Sequence, residues 1–349
     1  MKSRDFNPRF RKLVDEITSI GMDWHADSIV ENSRANRQFI GKTIRDVARP
    51  QGDKARSAIV ISAGPSLYKN NILARIKASG FKGSIVAIDG SCVRCIKADL
   101  APDYVLTLDP HPTRIVRWFG DPDFEKNMEG DDYFSRQDLD IAFRANSIEE
   151  NRRNIELVNR HGRGKKLIIC SAAPENLVQR VRDVGFDAYW WAPLVDNPEK
   201  AGSLTRQIVR DTGLPAMNTG GTVGTAGWVF ALTVLKIPRI AVVGMDLGYY
   251  QSDTSYELTQ TYHSLKDMVG EKDFKDYFPE FSYPGTNEKF FTDPTYYWYR
   301  SNLLDLIAAS GTKLYNCTGG GTLFGNGVEC LEIEDFCKRG EKLWPRYFS

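Results

Sequence analysis

Short apolar segments recur along the middle of the chain, and turn-forming residues follow each of them. Most of these segments are rich in Val and Ile, which favours strands buried on both faces of a parallel sheet. Helical stretches separate them, and this alternation is typical of βαβ units with helices on both faces. We therefore predict an α/β fold with a Rossmann-like parallel sheet. The predicted strands cover residues 58–62, 84–88, 104–108, 166–170, 240–243 and 312–316.

Apolar residues near the N-terminus follow a different spacing. Phe10, Leu13 and Ile17 recur three and four positions apart, which is the period of a helix with one apolar stripe. We predict an N-terminal helical extension of two helices over residues 1–52, which caps the fold or forms a contact in a homo-oligomer. The Rossmann-like domain then covers residues 53–349.

One long segment of that domain, residues 247–300, has weak periodicity and many Tyr, Phe, Asp and Pro residues. A long segment without regular structure inside a compact domain is usually a functional loop. We predict an irregular insertion that serves as a lid or as an acceptor site.

The composition is that of an ordinary globular protein, with 42% hydrophobic and 26% charged residues among 349. Lys and Arg number 46 against 45 for Asp and Glu, which gives a net charge of +1. Because domains that bind nucleic acids carry a basic excess or stripe, this balance argues against a nucleic-acid partner. No apolar stretch reaches the roughly 18 uninterrupted residues of a transmembrane helix.

Six cysteines are spaced irregularly, and the charged N-terminal segment lacks the apolar core of a signal peptide. We expect reduced thiols and a cytoplasmic protein. Cys92 and Cys95 form a CxxC pattern, which is either a redox motif or a pair of buried helix residues. We predict buried helix residues, because neither Trp nor Pro stands between the two cysteines.

The first candidate site is the turn after the strand at 58–62, which contains Gly64, Pro65 and Ser66. In open parallel sheets ligands bind beyond the carboxyl ends of the strands, and a glycine followed by a helix N-terminus suits a phosphate group. The Walker and GxGxxG motifs are both absent. The alternative is a tight turn with a helix cap.

Acidic residues end the next two predicted strands. Asp89, which Gly90 follows, ends the second strand, and Asp109 ends the third. Their positions predict a crevice shared with Gly64, in which Asp89 holds a ribose or base and Asp109 holds a sugar hydroxyl or a metal-bound phosphate. Each aspartate could instead be a helix N-cap or a turn residue.

Two glycine-rich turns are further candidates. The first opens a predicted helix, where small and hydroxyl residues make a cradle for an anion or nucleotide. The second follows the last predicted strand and closes the crevice. The alternatives are close helix packing for the first turn and a flexible turn for the second. The nucleotide-binding candidates are Asn218, Thr219, Gly220 and Gly221 in the first turn, and Asn316 and Thr318 in the second.

The strand at 240–243 leads to Asp246 and then to a cluster of tyrosines. Asp246 stands at a strand end like the other candidate aspartates, so we predict that it contacts the nucleotide. Tyr249, Tyr250 and Tyr256 could donate hydrogen bonds to a phosphate leaving group.

His263 lies downstream of these tyrosines in the polar insertion. A histidine in such a loop can act as a general base near neutral pH, and the alternative is an ordinary surface residue. His111, beside Asp109, is a second candidate base.

In their order along the chain, these motifs resemble one known family. GPSL, IDGS, PDYVLTLDP, GMDL and NCTGGG are similar to the 6-hydroxymethylpterin diphosphokinase MptE-like domain family, over about residues 25–337. That family includes archaeal pterin diphosphokinases. It also includes the motility-associated factor (Maf) glycosyltransferases, to which the transfer of nonulosonic, sialic-like acids to flagellin is attributed.

Two features favour the transferase branch of this family. Pro110 and His111 follow Asp109, whereas the kinase branch tends to carry a second acidic residue there for magnesium. The segments NTGGTVG and GMDLGYY are also similar to bacterial sialyltransferases. That resemblance implies contacts with the cytidine monophosphate (CMP) of a sugar donor and a catalytic base. The residues so implied are Thr219, Gly220, Tyr249 and Tyr256 for the donor, and His263 for the base.

The resemblance leaves three functions open. The first is a glycosyltransferase that uses a nucleotide-activated sugar, such as a CMP-nonulosonate, with a glycan or protein acceptor and no metal. The second is a diphosphokinase that moves pyrophosphate from ATP to a pterin-like alcohol, with Mg²⁺ held by Asp89, Asp109 or Asp246. The third is a nucleotide-binding module without catalysis.

Overall fold

The computed structural model describes residues 8–129, 141–259, 261–270 and 274–339. The strands are β1 (Lys42–Thr43), β2 (Ser57–Ile61), β3 (Ser84–Ile88), β4 (Tyr104–Thr107), β5 (Lys166–Cys170), β6 (Asp187–Leu194), β7 (Ala216–Asn218), β8 (Arg239–Val243), β9 (Tyr249–Tyr250), β10 (Glu280–Ser282), β11 (Lys289–Phe291), β12 (Leu314–Asn316) and β13 (Val328–Cys330). The helices are α1 (Pro8–Asn36), α2 (Asp53–Arg56), α3 (Ser66–Lys69), α4 (Ile72–Ala78), α5 (Asp89–Lys97), α6 (Pro112–Val116), α7 (Phe124–Asn127), α8 (Ile141–His161), α9 (Glu175–Val184), α10 (Leu204–Thr212), α11 (Val223–Val229), α12 (Tyr262–Val269), α13 (Pro294–Ser310) and α14 (Ile333–Arg339).

A parallel sheet forms the centre of the fold. Its strand order is β1-β6-β5-β4-β3-β2-β8-β12-β13, and β7 pairs with β6 outside this path. Each of these neighbours runs parallel to the next. Parallel neighbours require crossover connections, and most of these contain helices, whereas residues 317–327 join β12 to β13 without one.

Successive strand residues point to opposite sides of this sheet, and helices cover the apolar residues on both sides. On one face Val60 of β2 packs with Trp228 of α11. On the other face Ile59 packs with Ile72 of α4. All five residues of β2 are buried. The predicted α/β, Rossmann-like fold is confirmed.

The central strands end at the same level. Ile61 of β2 pairs with Ala87 of β3 on one side and with Val243 of β8 on the other. The loops that follow these three strands therefore meet at the carboxyl edge of the sheet, as expected for an open parallel sheet.

The N-terminal region is built differently from the prediction. One continuous helix, α1, replaces the two that were predicted, since no proline interrupts the sequence after its first residue. Asn36 at its end donates hydrogen bonds to the carbonyls of Ser171 (2.8 Å) and Ala173 (2.7 Å). β1 then joins the sheet beside β6. The boundary at residue 53 stays a prediction.

The insertion over residues 247–300 contains regular structure where an irregular loop was predicted. β10, β11 and β9 form a small antiparallel sheet, and α13 already begins at Pro294. Strands of two or three residues are too short to show a period in the sequence. Aromatic rings pack this segment: Phe291 contacts Tyr249, Tyr256 and Phe278.

The sequence prediction also missed β6, β7 and β13. β6 contains Pro193 and three aromatic residues, so it lacks the run of Val and Ile that marked the central strands. β7 and β13 have three residues each. In the residues that the structure describes, no helix is both long and apolar enough to cross a membrane.

Candidate ligand-binding crevice

Loops after β2, β3, β4 and β8 meet at the carboxyl edge of the sheet. We call the space between them the strand-end crevice and define it by residues 64–66, Asp89, Asp109 and Asp246. The structure thus brings together the predicted turn and the three predicted aspartates, which come from four different strand ends.

Ser66 and Asp246 are bonded to each other across the floor of this crevice. Ser66 Oγ donates a hydrogen bond to Asp246 Oδ2 at 2.8 Å. Burial raises the pKa of Asp246 to about 6, although the hydroxyl and backbone N–H of Ser66 lower it. The turn after β2 is therefore fixed to the end of β8, which lies 180 residues further along the chain.

Gly64 permits this close approach of the two loops. Its backbone N–H donates to the carbonyl of Gly244 at 2.9 Å. A Cβ atom at position 64 would overlap Asp246 Oδ2 and would lie 2.6 Å from the Gly244 carbonyl oxygen. Pro65 precedes α3, and its carbonyl accepts hydrogen bonds from Tyr68 and Lys69. Glycine is thus required at position 64 by close packing of the backbone.

Asp89 lies at the start of α5 and is 7% exposed. Its Oδ1 accepts a hydrogen bond from the backbone N–H of Gly90 at 2.6 Å. Burial, with a smaller contribution from the charge of Asp109, raises the pKa of Asp89 to about 7 against the opposing effects of Gly90 and Arg114. At neutral pH Asp89 can therefore either donate or accept a hydrogen bond.

Asp109 forms an ion pair at the opposite side of the crevice. Its Oδ2 lies 3.3 Å from Arg114 Nε, and its Oδ1 accepts from the backbone N–H of His111 at 2.9 Å. Arg114 belongs to α6 and is 39% exposed. The guanidinium supplies positive charge beside Asp89 and Asp109, where a phosphate could be bound.

Two tyrosines of α13 face this charged group. Burial raises the pKa of Tyr299, and the nearby charge of Arg114 opposes that shift. Burial also raises the pKa of Tyr296, whose hydroxyl is within electrostatic reach of Arg114 and Asp246. The sequence prediction missed both residues, although the preceding Asp293 and Pro294 are a helix-start signal that would have placed them on the first turns of a helix.

The first glycine-rich turn lies against the same tyrosines. Asn218 Oδ1 accepts from the Gly220 N–H at 2.9 Å, and Thr219 Oγ1 accepts from the Gly221 N–H at 3.1 Å. A Cβ atom at Gly221 would lie 2.6 Å from Tyr299 Cδ1. The turn therefore forms a wall beside Tyr299. Its binding of a nucleotide stays a prediction.

The second glycine-rich turn supports the loop that carries Asp246. Asn316 is fully buried, donates to the Leu323 carbonyl at 2.7 Å and accepts from the Thr318 N–H at 2.9 Å. Thr318 Oγ1 accepts from the Met245 N–H at 3.4 Å. Through these contacts both side chains stabilise neighbouring backbone, and their predicted contact with the nucleotide stays a prediction.

The tyrosines of the insertion differ in their surroundings. Tyr249 donates its hydroxyl to Asp293 Oδ2 at 3.0 Å and stacks on Phe291. Tyr256 packs on Phe278 with ring centroids 4.7 Å apart. Both rings thus belong to the core of the insertion, and their predicted catalytic roles stay predictions.

His263 lies in the first turn of α12. Its side chain is outside the part of the protein that the structure describes, so its role as a base stays a prediction. The second candidate base, His111, has its Nδ1 3.2 Å from Thr113 Oγ1.

Cys92 and Cys95 are buried in α5 as free thiols, as predicted. Burial raises the pKa of Cys92 to about 12, so the thiol stays protonated and unreactive at neutral pH. In the described residues no cluster of three or more His, Cys, Asp or Glu side chains could hold a metal ion.

Residues 27–123 match a family model described as 6-hydroxymethylpterin diphosphokinase MptE-like. We call residues 27–123 the MptE-like segment because of this similarity. The resemblance predicted from the motifs is confirmed for this segment, which contains Gly64, Ser66, Asp89 and Asp109 of the strand-end crevice. Asp246 and both glycine-rich turns lie outside the MptE-like segment.

The fold is also similar to a solved structure, that of a Maf glycosyltransferase from Magnetospirillum magneticum AMB-1. The TM-score is 0.53 and the sequence identity 14%, over 90% of this chain and 41% of that protein. The chain therefore spans about two fifths of the length of its structural relative. At this identity the comparison shows a shared fold over 90% of this chain. A comparison with curated protein sequences gave no match.

Proposed function

We propose that this protein is a glycosyltransferase that uses a nucleotide-activated sugar, with a CMP-nonulosonate as donor and a glycan or protein as acceptor. The similarity of the fold to a Maf glycosyltransferase supports a transferase of this type. A cytoplasmic location and a homo-oligomer through the N-terminal helix remain predictions that accompany the proposal.

The observation that carries the proposal is the charge pattern of the strand-end crevice. Two buried carboxyl groups, Asp89 and Asp246, suit the hydroxyl groups of a ribose and a sugar. Arg114, which is paired with Asp109, supplies a guanidinium near Asp89, and Lys69 lies near Asp246. A guanidinium can stabilise the single phosphate of a CMP-linked donor without a metal, whereas phosphoryl transfer from ATP generally needs Mg²⁺.

In the proposed reaction the leaving group is CMP. Arg114 would stabilise the charge that develops on its phosphate, and Tyr296 or Tyr299 would donate hydrogen bonds nearby. His263 would remove the proton of the acceptor hydroxyl as general base. Tyr249 would act on the leaving phosphate only if its hydroxyl left Asp293, so we assign it a supporting role.

The experiment combines ligand binding with turnover. Thermal shift with CMP, CDP, UDP, ADP and ATP, each with and without Mg²⁺, should show metal-independent stabilisation by CMP. Release of CMP from CMP-N-acetylneuraminate should then follow, slowly with water and faster with an acceptor. His263→Ala should reduce transfer while it leaves CMP binding unchanged. A protein that neither binds CMP nor releases it from any CMP-sugar would contradict the proposal.

A diphosphokinase is the second candidate, because the matched family bears that name and the matched segment contains two crevice aspartates. Burial and the negative charge of Asp109 raise the pKa of Asp89, and a divalent cation between the two carboxylates would relieve their repulsion. These two residues would hold Mg²⁺, which would neutralise the phosphates of ATP.

AMP release from ATP with a hydroxymethylpterin, abolished by a chelator, would establish this second function. Tight binding of a nucleotide without turnover of any donor would instead identify a binding module.

A further inference from the structure

Two buried polar groups at the β8 side of the crevice lack a hydrogen-bond partner among the described residues. One is Asp246 Oδ1, whose neighbouring Oδ2 is bonded to Ser66. The other is the hydroxyl of Tyr250 in β9. The two residues are 4% and 5% exposed. Buried polar atoms are nearly always paired in folded proteins, so each of these two calls for a partner from outside the chain.

Charge links the two groups. Burial raises the pKa of Tyr250, and the charge of Asp246 raises it further, so the phenol lies within electrostatic reach of the carboxylate. Lys69 sits above the ring of Tyr250, with its Nζ 4.5 Å from the centroid, and is paired with Asp253. The same lysine lowers the pKa of Asp246. Lys69 thus borders both groups.

Backbone, not side chains, covers the space beside them. A Cβ atom at Gly320 would lie 2.7 Å from the Tyr250 hydroxyl, and one at Gly321 would lie 2.6 Å from Asp246 Cα. Gly64 approaches Asp246 from the other side. Three glycines therefore pack their backbone directly against Asp246 and Tyr250, and none of them offers a side chain as the missing partner.

We propose that Asp246 and Tyr250 form a subsite for a hydroxyl group of the ligand, in the ribose or in the transferred sugar. A hydroxyl can donate to Asp246 Oδ1 and accept from the Tyr250 hydroxyl at once. A phosphate has no proton for the carboxylate and is repelled by it, and an ammonium group cannot accept from the phenol. The inference rests on the proposed function, since it names the part of the donor that this end of the crevice holds.

Isothermal titration with three ligands tests the subsite and separates its two sources. The ligands are CMP, 2′,3′-dideoxy-CMP and CMP-N-acetylneuraminate. The variants are Tyr250→Phe, Asp246→Asn and, as the matched control, Tyr283→Phe. Tyr283 packs on Phe290 beside Tyr250, but its hydroxyl is bonded to the Cys330 thiol.

We expect Tyr250→Phe and Asp246→Asn to lower the affinity for the hydroxyl-bearing ligand by about 10- to 100-fold, as for loss of a hydrogen bond to a charged group. If the ribose is held, the wild-type protein prefers CMP to dideoxy-CMP and the variants lose that preference. If the sugar is held, CMP and dideoxy-CMP bind alike, and the variants lose the extra affinity of the CMP-sugar. Unchanged affinities in both variants would overturn the subsite.

Stability of the ligand-free protein gives a test that needs no nucleotide. A buried hydroxyl without a partner costs stability, so Tyr250→Phe should raise the melting temperature by about 1–3 °C. Tyr283→Phe should lower it, because a hydrogen bond is lost. An equal fall in both variants would show that the Tyr250 hydroxyl is satisfied within the protein and would overturn the inference. Absence of binding by any nucleotide to the wild-type protein would instead count against the proposed function.

Discussion

Tyr249 donates its hydroxyl to Asp293 Oδ2 at 3.0 Å, and this bond joins the first strand of the insertion to the start of α13. Thr261, just before α12, donates to the same oxygen at 3.0 Å. Asp293 Oδ1 accepts from the Tyr296 N–H at 2.7 Å and so caps α13. One buried carboxylate therefore fixes the helix that carries Tyr296 and Tyr299 to the segment that carries His263.

Removing this carboxylate should destabilise the fold. Asp293→Ala leaves two partly buried hydroxyls and a helix N-terminus without their acceptor, and we expect the free energy of unfolding to fall by about 2–4 kcal/mol. Asp293→Asn keeps an oxygen that can cap the helix, so its free energy of unfolding should fall less than that of Asp293→Ala. Urea denaturation measures both. Equal stability of Asp293→Ala and the wild-type protein would show that these bonds do not hold the insertion.

Two raised pKa values predict how stability depends on pH. Asp89 and Asp246 have pKa values of about 7 and about 6 in the folded protein, above the ordinary value of 3.8. The folded state therefore holds protons that the unfolded state releases, and stability from these groups is lost as pH rises from about 4 to 7. Asp89→Asn should raise the free energy of unfolding at pH 8 by about 2–4 kcal/mol.

Urea denaturation at several pH values checks this second prediction. The gain of Asp89→Asn over the wild-type protein should shrink as the pH falls and vanish below the ordinary pKa of 3.8, where the aspartate is protonated in both states. Asp99 provides the contrasting case, because its hydrogen bond to Lys77 lowers its pKa. Asp99→Asn should bring no gain at pH 8. A pH-independent difference for Asp89→Asn would contradict the assigned pKa shift.

Gly64→Ala should disrupt the floor of the crevice. The added methyl group would overlap Asp246 Oδ2 and press on the Gly244 carbonyl, so one loop must move. We expect a loss of about 1–3 kcal/mol, typical of overpacking, together with loss of nucleotide binding. Gly41→Ala is the matched control, since its Cβ would meet nothing within 4 Å. Thermal melts with and without CMP measure both effects, and retained CMP binding in Gly64→Ala would separate this loop from the ligand.

Arg114→Gln should weaken binding of any phosphorylated ligand. The guanidinium carries the positive charge beside Asp89 and Asp109, and we expect CMP affinity to fall by about 10- to 100-fold. Arg152→Gln removes a surface arginine paired with Glu125 and should leave affinity unchanged. Titration at two salt concentrations adds a check, because the wild-type affinity should fall with salt more steeply than that of Arg114→Gln. Equal affinities would place the phosphate elsewhere.

Local chemistry explains which sequence predictions succeeded. The strands at 58–62 and 84–88 were visible because a strand buried on both faces reads as a continuous apolar run. The residues that end those strands, such as Gly64 and Asp89, could be placed at the crevice because parallel strands share one carboxyl edge. The short strands of the insertion left no such pattern, since two or three residues show no period.

The local sequence pattern does not show which tyrosine of the insertion contacts Asp293. Tyr249 and Tyr250 are adjacent, and consecutive strand residues point to opposite faces. Pairing of β9 with β11 sets Tyr249 opposite Phe291 and Tyr250 opposite Phe290, and so decides that Tyr249 meets Asp293. The sequence contains both hydroxyls but not the register that separates them.

By itself the sequence determined the α/β alternation, the ends of the central strands and the glycines at their turns, because each depends on residues close together in the chain. Only the tertiary structure decided that Ser66 bonds Asp246 and that α13 faces Arg114. The first of these contacts depends on β8 lying beside β2 in the sheet, and strand order is set by the packing of the whole core. A partner 180 residues away leaves no periodic signal in either segment.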